Sequence, residues 1–216
     1  MAIELSTLLD ESWLVDGMKI LGFRQIRGKR FMDNSEAPEP AVNALLHDGF
    51  GRVMEGIEIL LDGAEPELLR FRPTRNTNHI GWLIWHLSRV QDDHFAHLAN
   101  RLWPESPAQQ RWIADGWRSR FQLPYGDLDT GFGHSSDQVD EFGMYESAYL
   151  LGYYRSVHRF SGGILGSLKD NHFGTIVDRR WDPPVTAGVR LVSILNETTK
   201  HLGQAEFVQG IFADRA

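Results

Sequence analysis

Apolar residues recur near the 3.6-residue period in four blocks of this chain, each bounded by residues that stop a helix. In residues 41–61 the set Leu45, Leu46, Val53, Ile57, Leu60 and Leu61 keeps that spacing, and Asp62-Gly63 supplies the stop. Residues 78–101 place Ile80, Leu83, Leu87, Val90 and Leu98 near one stripe, with Asn76 or Asn78 as the expected N-cap and Pro104 blocking continuation. A third helix is predicted over 144–168, where Tyr145, Tyr149, Leu150, Tyr153, Val157, Phe160, Ile164 and Leu168 line up. A turn over 178–186 (DRRWDPPVT) then leads into a fourth helix over 187–212, its entry set by Pro183 and Pro184.

Strand-type alternation is negligible. Four helices of roughly 20 residues with long connections make an all-α four-helix bundle the expected architecture. The bundle domain is expected over 41–216. Residues 1–40 are expected to form an N-terminal helix and arm: apolar positions over 4–21 keep helical spacing up to Gly22, and Asn34, Ser35, Pro38 and Pro40 then read as loop. The connection over 103–143 holds Trp112, Trp117, Pro124 and many Asp and Ser residues without sustained periodicity. A crossover this long between helices 2 and 3 is expected to serve a function, as a lid or rim whose tryptophans pack down onto the bundle.

Composition narrows the chemistry. The chain has 216 residues, 42% hydrophobic and 24% charged, as a self-folding globular domain does. No uninterrupted apolar run reaches the roughly 18 to 20 residues of a membrane span, and the acidic opening lacks the basic flank of a secretory signal. A cytoplasmic protein without a membrane partner is expected. A net charge of -7 argues against nucleic acid, since phosphate binding needs clustered Lys and Arg, and the one basic run, RQIRGKR (24–30), reads as a solvated loop. The absence of cysteine excludes thiolate ligands and a cysteine nucleophile, leaving His, Asp and Glu to hold any metal.

One local pattern then stands out. In NETTKHLGQ (196–204), Glu197 and His201 lie four residues apart on a helix and so share a face. Alone, such a pair also occurs on solvated faces. In the second helix, however, His86 sits inside the apolar run WLIWHL (82–87), so its imidazole must face the interior and find a partner. A core histidine bonded to a carbonyl or carboxylate would satisfy that need. If the two sites meet, two imidazoles and one carboxylate hold an ion and leave a coordination position open. Asp93, seven residues after His86, falls near the same face and either orients an incoming group or is solvated beside Asp92. His94 and His97 are expected at the surface, and His79, His134 and His158 show no partner at ligand spacing. No Gly-flanked serine elbow or phosphate-cradling glycine loop is present.

Three stretches resemble the DinB/YfiT-like superfamily: NHIGWLIWHLSRVQDDH (78–94), WDPPVTAGVRL (181–191) and NETTKHLGQAEFVQG (196–210). With their connecting helices they span 41–212. The resemblance implies a four-helix bundle binding a divalent ion, commonly Zn or Ni, through one His on the second helix and two residues four apart on the fourth. By position these are His86, Glu197 and His201. The family commonly has His where this chain has Glu197.

Likeness to the mycothiol-dependent branch, of maleylpyruvate isomerase-like proteins and thiol transferases, implies a low-molecular-weight thiol and an electrophile as small-molecule partners. A Lewis-acidic ion lowers the pKa of a bound thiol, so the protein needs no cysteine of its own. On this reading Asp93 accepts a proton or positions a hydroxyl. Arg180 and Arg190, flanking the WDPPVT turn, either pair with a carboxylate of the thiol or substrate or form surface salt bridges. Two other readings stay open: metal-assisted hydrolysis by an activated water, and a stress-associated bundle that binds metal or ligand without turnover. A homodimer is expected on general grounds.

Overall fold

In the computed structural model, residues 40–215 are described. The expected N-terminal helix, most of the arm and the RQIRGKR run lie outside the described residues. Four long helices dominate: α1 (Ala41–Leu61), α3 (Ile80–Leu102), α7 (Ser147–Ser167) and α8 (Ala187–Ala213). A short helix α2 (Pro66–Arg70) links the first two. The crossover carries three more, α4 (Arg111–Ala114), α5 (Trp117–Phe121) and α6 (Ser136–Asp140), the last closed by a capping box between Ser135 and Gln138.

The four-helix, all-α expectation is met, with boundaries shifted by a few residues. The N-cap of α3 differs from the expectation: His79, rather than Asn76 or Asn78, accepts from the Trp82 backbone N–H at 3.0 Å. Its other ring nitrogen donates to the Val139 carbonyl at 3.2 Å, which ties the start of α3 to α6. Within 178–186, read from sequence as a turn, the chain forms the ends of a two-stranded antiparallel hairpin, β1 (Ile176–Asp178) and β2 (Val185–Thr186). Thr186 then caps α8 by accepting from the Val189 N–H.

Side-chain pairings fix the helix directions. A Cβ on Gly49 would lie 2.8 Å from Leu195, and one on Gly56 2.5 Å from Leu202, so α1 and α8 ascend together at close approach. Asn43 bonds the carbonyls of Leu165 and Leu168, while Glu58 pairs with Arg155, so α7 descends against α1. His86 faces His201 and Glu197 while His94 lies near Arg190, so α3 descends against α8. Helices α3 and α7 therefore run the same way, and the chain between them must travel back along a 23-residue helix, roughly 34 Å. That return is the physical reason for the long crossover.

The crossover covers the outer side of α3. Every residue from Ile80 to Asp92 is buried, including those that the stripe pattern would put outside. Trp112, Phe121, Leu123, Tyr125 and Phe142 join Trp85 and Tyr153 in one apolar cluster. A second cluster, around Phe50, Phe95 and Ile194, fills the end near the hairpin. Leu45, read with the α1 stripe, is 71% exposed, because its neighbour Leu46 takes the inward position. Among the described residues no helix is long and apolar enough to cross a membrane.

Candidate metal centre

His86 on α3 and Glu197 and His201 on α8 come together although 111 residues separate the first two in sequence. One ligand atom from each lies within 4.8 Å of the others. Glu197 Oε1 is 3.0 Å from His201 Nε2 and 3.9 Å from His86 Nε2, and the imidazoles meet edge to face with centroids 4.7 Å apart. The i, i+4 spacing sets Glu197 beside His201, and the antiparallel packing of α3 on α8 brings in the third group.

The hydrogen bonds around the imidazoles select the ring nitrogens that face the centre. His86 Nδ1 lies 2.5 Å from the Thr130 carbonyl, which can only accept, so Nδ1 carries the proton. Burial lowers the His86 pKa to about 4, which keeps the ring neutral and leaves a lone pair on Nε2. That lone pair faces the Glu197 carboxylate with no proton between them. A cation resolves this opposition of acceptors, and two imidazoles with one carboxylate suit a divalent ion. His201 Nε2 lies at hydrogen-bond distance from Glu197, and its Nδ1 is 2.8 Å from the Gln204 side chain, which fixes the ring from behind. Carbonyl or amide oxygens behind ligand imidazoles fix their orientation and raise their basicity.

The carbonyl that holds His86 is itself held. At Gly131 the backbone is left-handed (φ +85°), and a Cβ there would sit 2.9 Å from Trp82 and Trp85 and 3.1 Å from His86 Nδ1. Only glycine lets the loop approach this closely. Asp129 accepts from the Gly131 N–H at 2.7 Å and from His134 Nε2 at 3.1 Å, while Trp82 Nε1 donates to His134 Nδ1 at 3.3 Å. Arg89, fully buried, donates through Nε to the Asp129 carbonyl at 3.0 Å and through a terminal nitrogen to Tyr153 at 3.2 Å. Tyr153 donates in turn to Asp92 at 2.9 Å, and Asp92 also takes the backbone N–H groups of Arg111 and Trp112. Burial pushes the Asp92 carboxyl up against these partners.

Arg89, Asp92, Asp129 and His134 were missed from sequence. The available signal was a pair of charges, Arg89 and Asp92, three residues apart in the most apolar helix of the chain, which must be paired if buried. Nothing local to Asp129 or His134 announces a partner 40 or more residues away.

Asp93 lies outside the triad. It is half-buried; Oδ1 accepts from Gln110 Nε2 at 2.7 Å, and Oδ2 is 3.6 Å from His94 Nδ1. His94 is partly buried, which lowers its pKa with help from nearby Arg190. His97 donates to the Val177 carbonyl at 3.1 Å. Arg180 and Arg190 both converge on Asp178: Arg180 through two bonds at 3.0 and 2.9 Å, and Arg190 through one at 3.0 Å. The Arg180 side chain, with its backbone N–H and then Arg190, holds the Asp178 carboxyl well below the usual carboxylate range. The arginines therefore brace the hairpin against α8.

A family model described as the DinB superfamily matches residues 50–205. Among solved structures, the crystal structure of a "conserved protein of locus from Enterococcus faecalis" superposes with a TM-score of 0.70, covering 78% of this chain and 95% of that one. At 24% identity this is a likeness of fold. No curated protein matches the chain.

Proposed function

Because the chain belongs to the DinB superfamily, we propose that it is a metal-dependent enzyme that joins a low-molecular-weight thiol, such as mycothiol, to an electrophile or isomerises the adduct. The observation that carries this reading is the meeting of His86, Glu197 and His201 within 4.8 Å, two imidazoles and one carboxylate from two helices. Zn and Ni are the ions that best suit this donor set in the family resemblance. When bound, such an ion supplies Lewis acidity that lowers the pKa of a thiol at neutral pH. The chain has no cysteine, so the reactive sulfur must come from a small molecule.

The residues around the triad divide the remaining work. Trp82 stacks on His86 at 4.6 Å and 13° between planes, which shields that ring and keeps water from its inner side. Glu197 leaves 39% of its side chain accessible, so the triad opens to solvent on the α8 side, where a thiol and an electrophile can enter. Asp93, two turns further along α3, accepts a proton or positions a hydroxyl of the incoming molecule. A cytoplasmic location belongs to the same reading, as a reducing compartment is where the thiol pool operates. A homodimer does too, supported by exposed apolar residues on α1 and α8, among them Leu45, Val192 and Phe207.

Isothermal titration of metal-loaded protein with mycothiol, bacillithiol and glutathione tests the proposal. One thiol is expected to bind, and binding of none removes the transferase reading. Turnover of an electrophile without thiol would point to hydrolysis by metal-activated water on the same ligands.

A further inference from the structure

A cleft of about 520 Å³ lies between the C-terminal half of α3 and the β1–β2 hairpin, lined among others by Asp93, His97, Arg101, Asp178, Arg179 and Arg180. Asp178 is matched twice over, by Arg180 and by Arg190 behind it. Arg101 and Arg179 have no such partner: among the described residues neither guanidinium takes part in a hydrogen bond or ion pair. Two arginines without an ion-pair partner therefore line one concavity, in a chain whose net charge is -7. An anion recruited here enters against the overall field of the protein, so its recognition must be local.

The cleft is held in shape at several points. His97 bonds the Val177 carbonyl at 3.1 Å and fastens β1 to α3. Asp178 takes both the backbone N–H and the side chain of Arg180. Arg179 thus sits between two anchored residues, and its guanidinium projects from a fixed backbone. On the opposite wall, Gln110 holds one Asp93 oxygen at 2.7 Å, while the other makes no hydrogen bond and lies 3.6 Å from His94 Nδ1. That second oxygen is an open acceptor.

We propose that this cleft binds a small hydroxycarboxylate, with carboxylate oxygens on Arg101 and Arg179 and a hydroxyl donated to Asp93. A guanidinium matches the planar carboxylate through paired N–H···O bonds. Asp93 accepts a hydrogen bond from the hydroxyl, a contact that a carboxylate without that group cannot make. The cleft needs no metal ion for this binding. Asp93 is seven residues from His86, roughly 10 Å along the helix, so the cleft is separate from the triad yet near enough to orient a longer substrate toward it.

The test uses the full chain freed of metal by chelation, titrated calorimetrically with tartrate, succinate and inorganic phosphate. Tartrate is expected to bind at millimolar concentration or below, and more tightly than succinate, which lacks the hydroxyls. The double variant Arg101→Gln/Arg179→Gln, altered at two exposed positions, should weaken tartrate at least tenfold, and Asp93→Asn should reduce its preference over succinate. His86→Ala should leave tartrate binding unchanged, which separates this outcome from any failure of the metal reading. Tartrate binding equal in wild type and double variant would overturn the proposal. So would phosphate binding more tightly than tartrate, no tartrate binding at millimolar concentration, or its loss in His86→Ala.

Discussion

The two helices that meet at the triad hold their ligands by different means. On α3, His86 is 4% exposed, stacked on Trp82 and bonded to a backbone carbonyl that Arg89, Asp129 and Gly131 keep in place. On α8, Glu197 leaves 39% of its side chain accessible and meets only its helical neighbour His201 and, at 3.9 Å, His86. One side of the centre is set by long-range packing and the other by the pitch of a single helix. A site with one rigid and one adaptable wall keeps its ion in place while leaving room for an incoming ligand.

The most damaging test of this contrast is Arg89→Met, which removes the buried cation from beside Asp92 and releases the Asp129 carbonyl. A stability loss of about 3 to 5 kcal/mol is expected from leaving a buried carboxylate unpaired, together with roughly tenfold or greater weakening of metal binding. Chemical denaturation and competition with a chelating dye measure the two. Normal stability with normal metal affinity would show that the loop needs no such brace.

A comparison of the ligands themselves comes next. His86→Ala should lower metal affinity by more than the roughly 100-fold that supporting groups contribute, and elemental analysis should find the metal gone. Glu197→His, on the adaptable side, should retain the ion, since the residue gains a nitrogen donor where the helix already presents one. Equal loss in both variants would erase the distinction between the two walls.

A smaller effect concerns pH. His79, the buried N-cap of α3, has its pKa lowered by burial to about 4, from 6.5. The unfolded chain therefore takes up this proton first, and each proton bound below pH 6.5 favours unfolding. Stability attributable to His79 is intact above pH 6.5, declines as the pH falls toward 4, and levels off below that. The whole decline is on the order of 3 kcal/mol. His79→Asn keeps a capping oxygen and loses the titration, so it should flatten the fall in denaturation midpoint between pH 6.5 and 4. An unchanged slope would assign that fall to other groups.

The legible and illegible parts of this protein divide along the same line. The periodicity of residues 41–61 marks a helix that the structure places at Ala41–Leu61, because amphipathic spacing is a local property written residue by residue. The N-cap of α3 departs from the local rule, which favours Asn, because His79 gains a second bond from α6 that no local rule contains. Leu45 keeps the helical spacing yet stays exposed because a stripe has a width, and only the position of the neighbouring helix decides which edge of it is covered.

By itself the sequence determined four amphipathic helices, the absence of thiol ligands, and the shared face of Glu197 and His201. Only the tertiary structure decided that His86 meets that face and that Thr130 turns its Nε2 toward it. It also decided that Arg101 and Arg179 share a cleft. Helical spacing encodes which side of a segment is apolar. Which two sides come into contact depends on helix direction and on the path of a crossover, and these are settled by the packing of the whole chain.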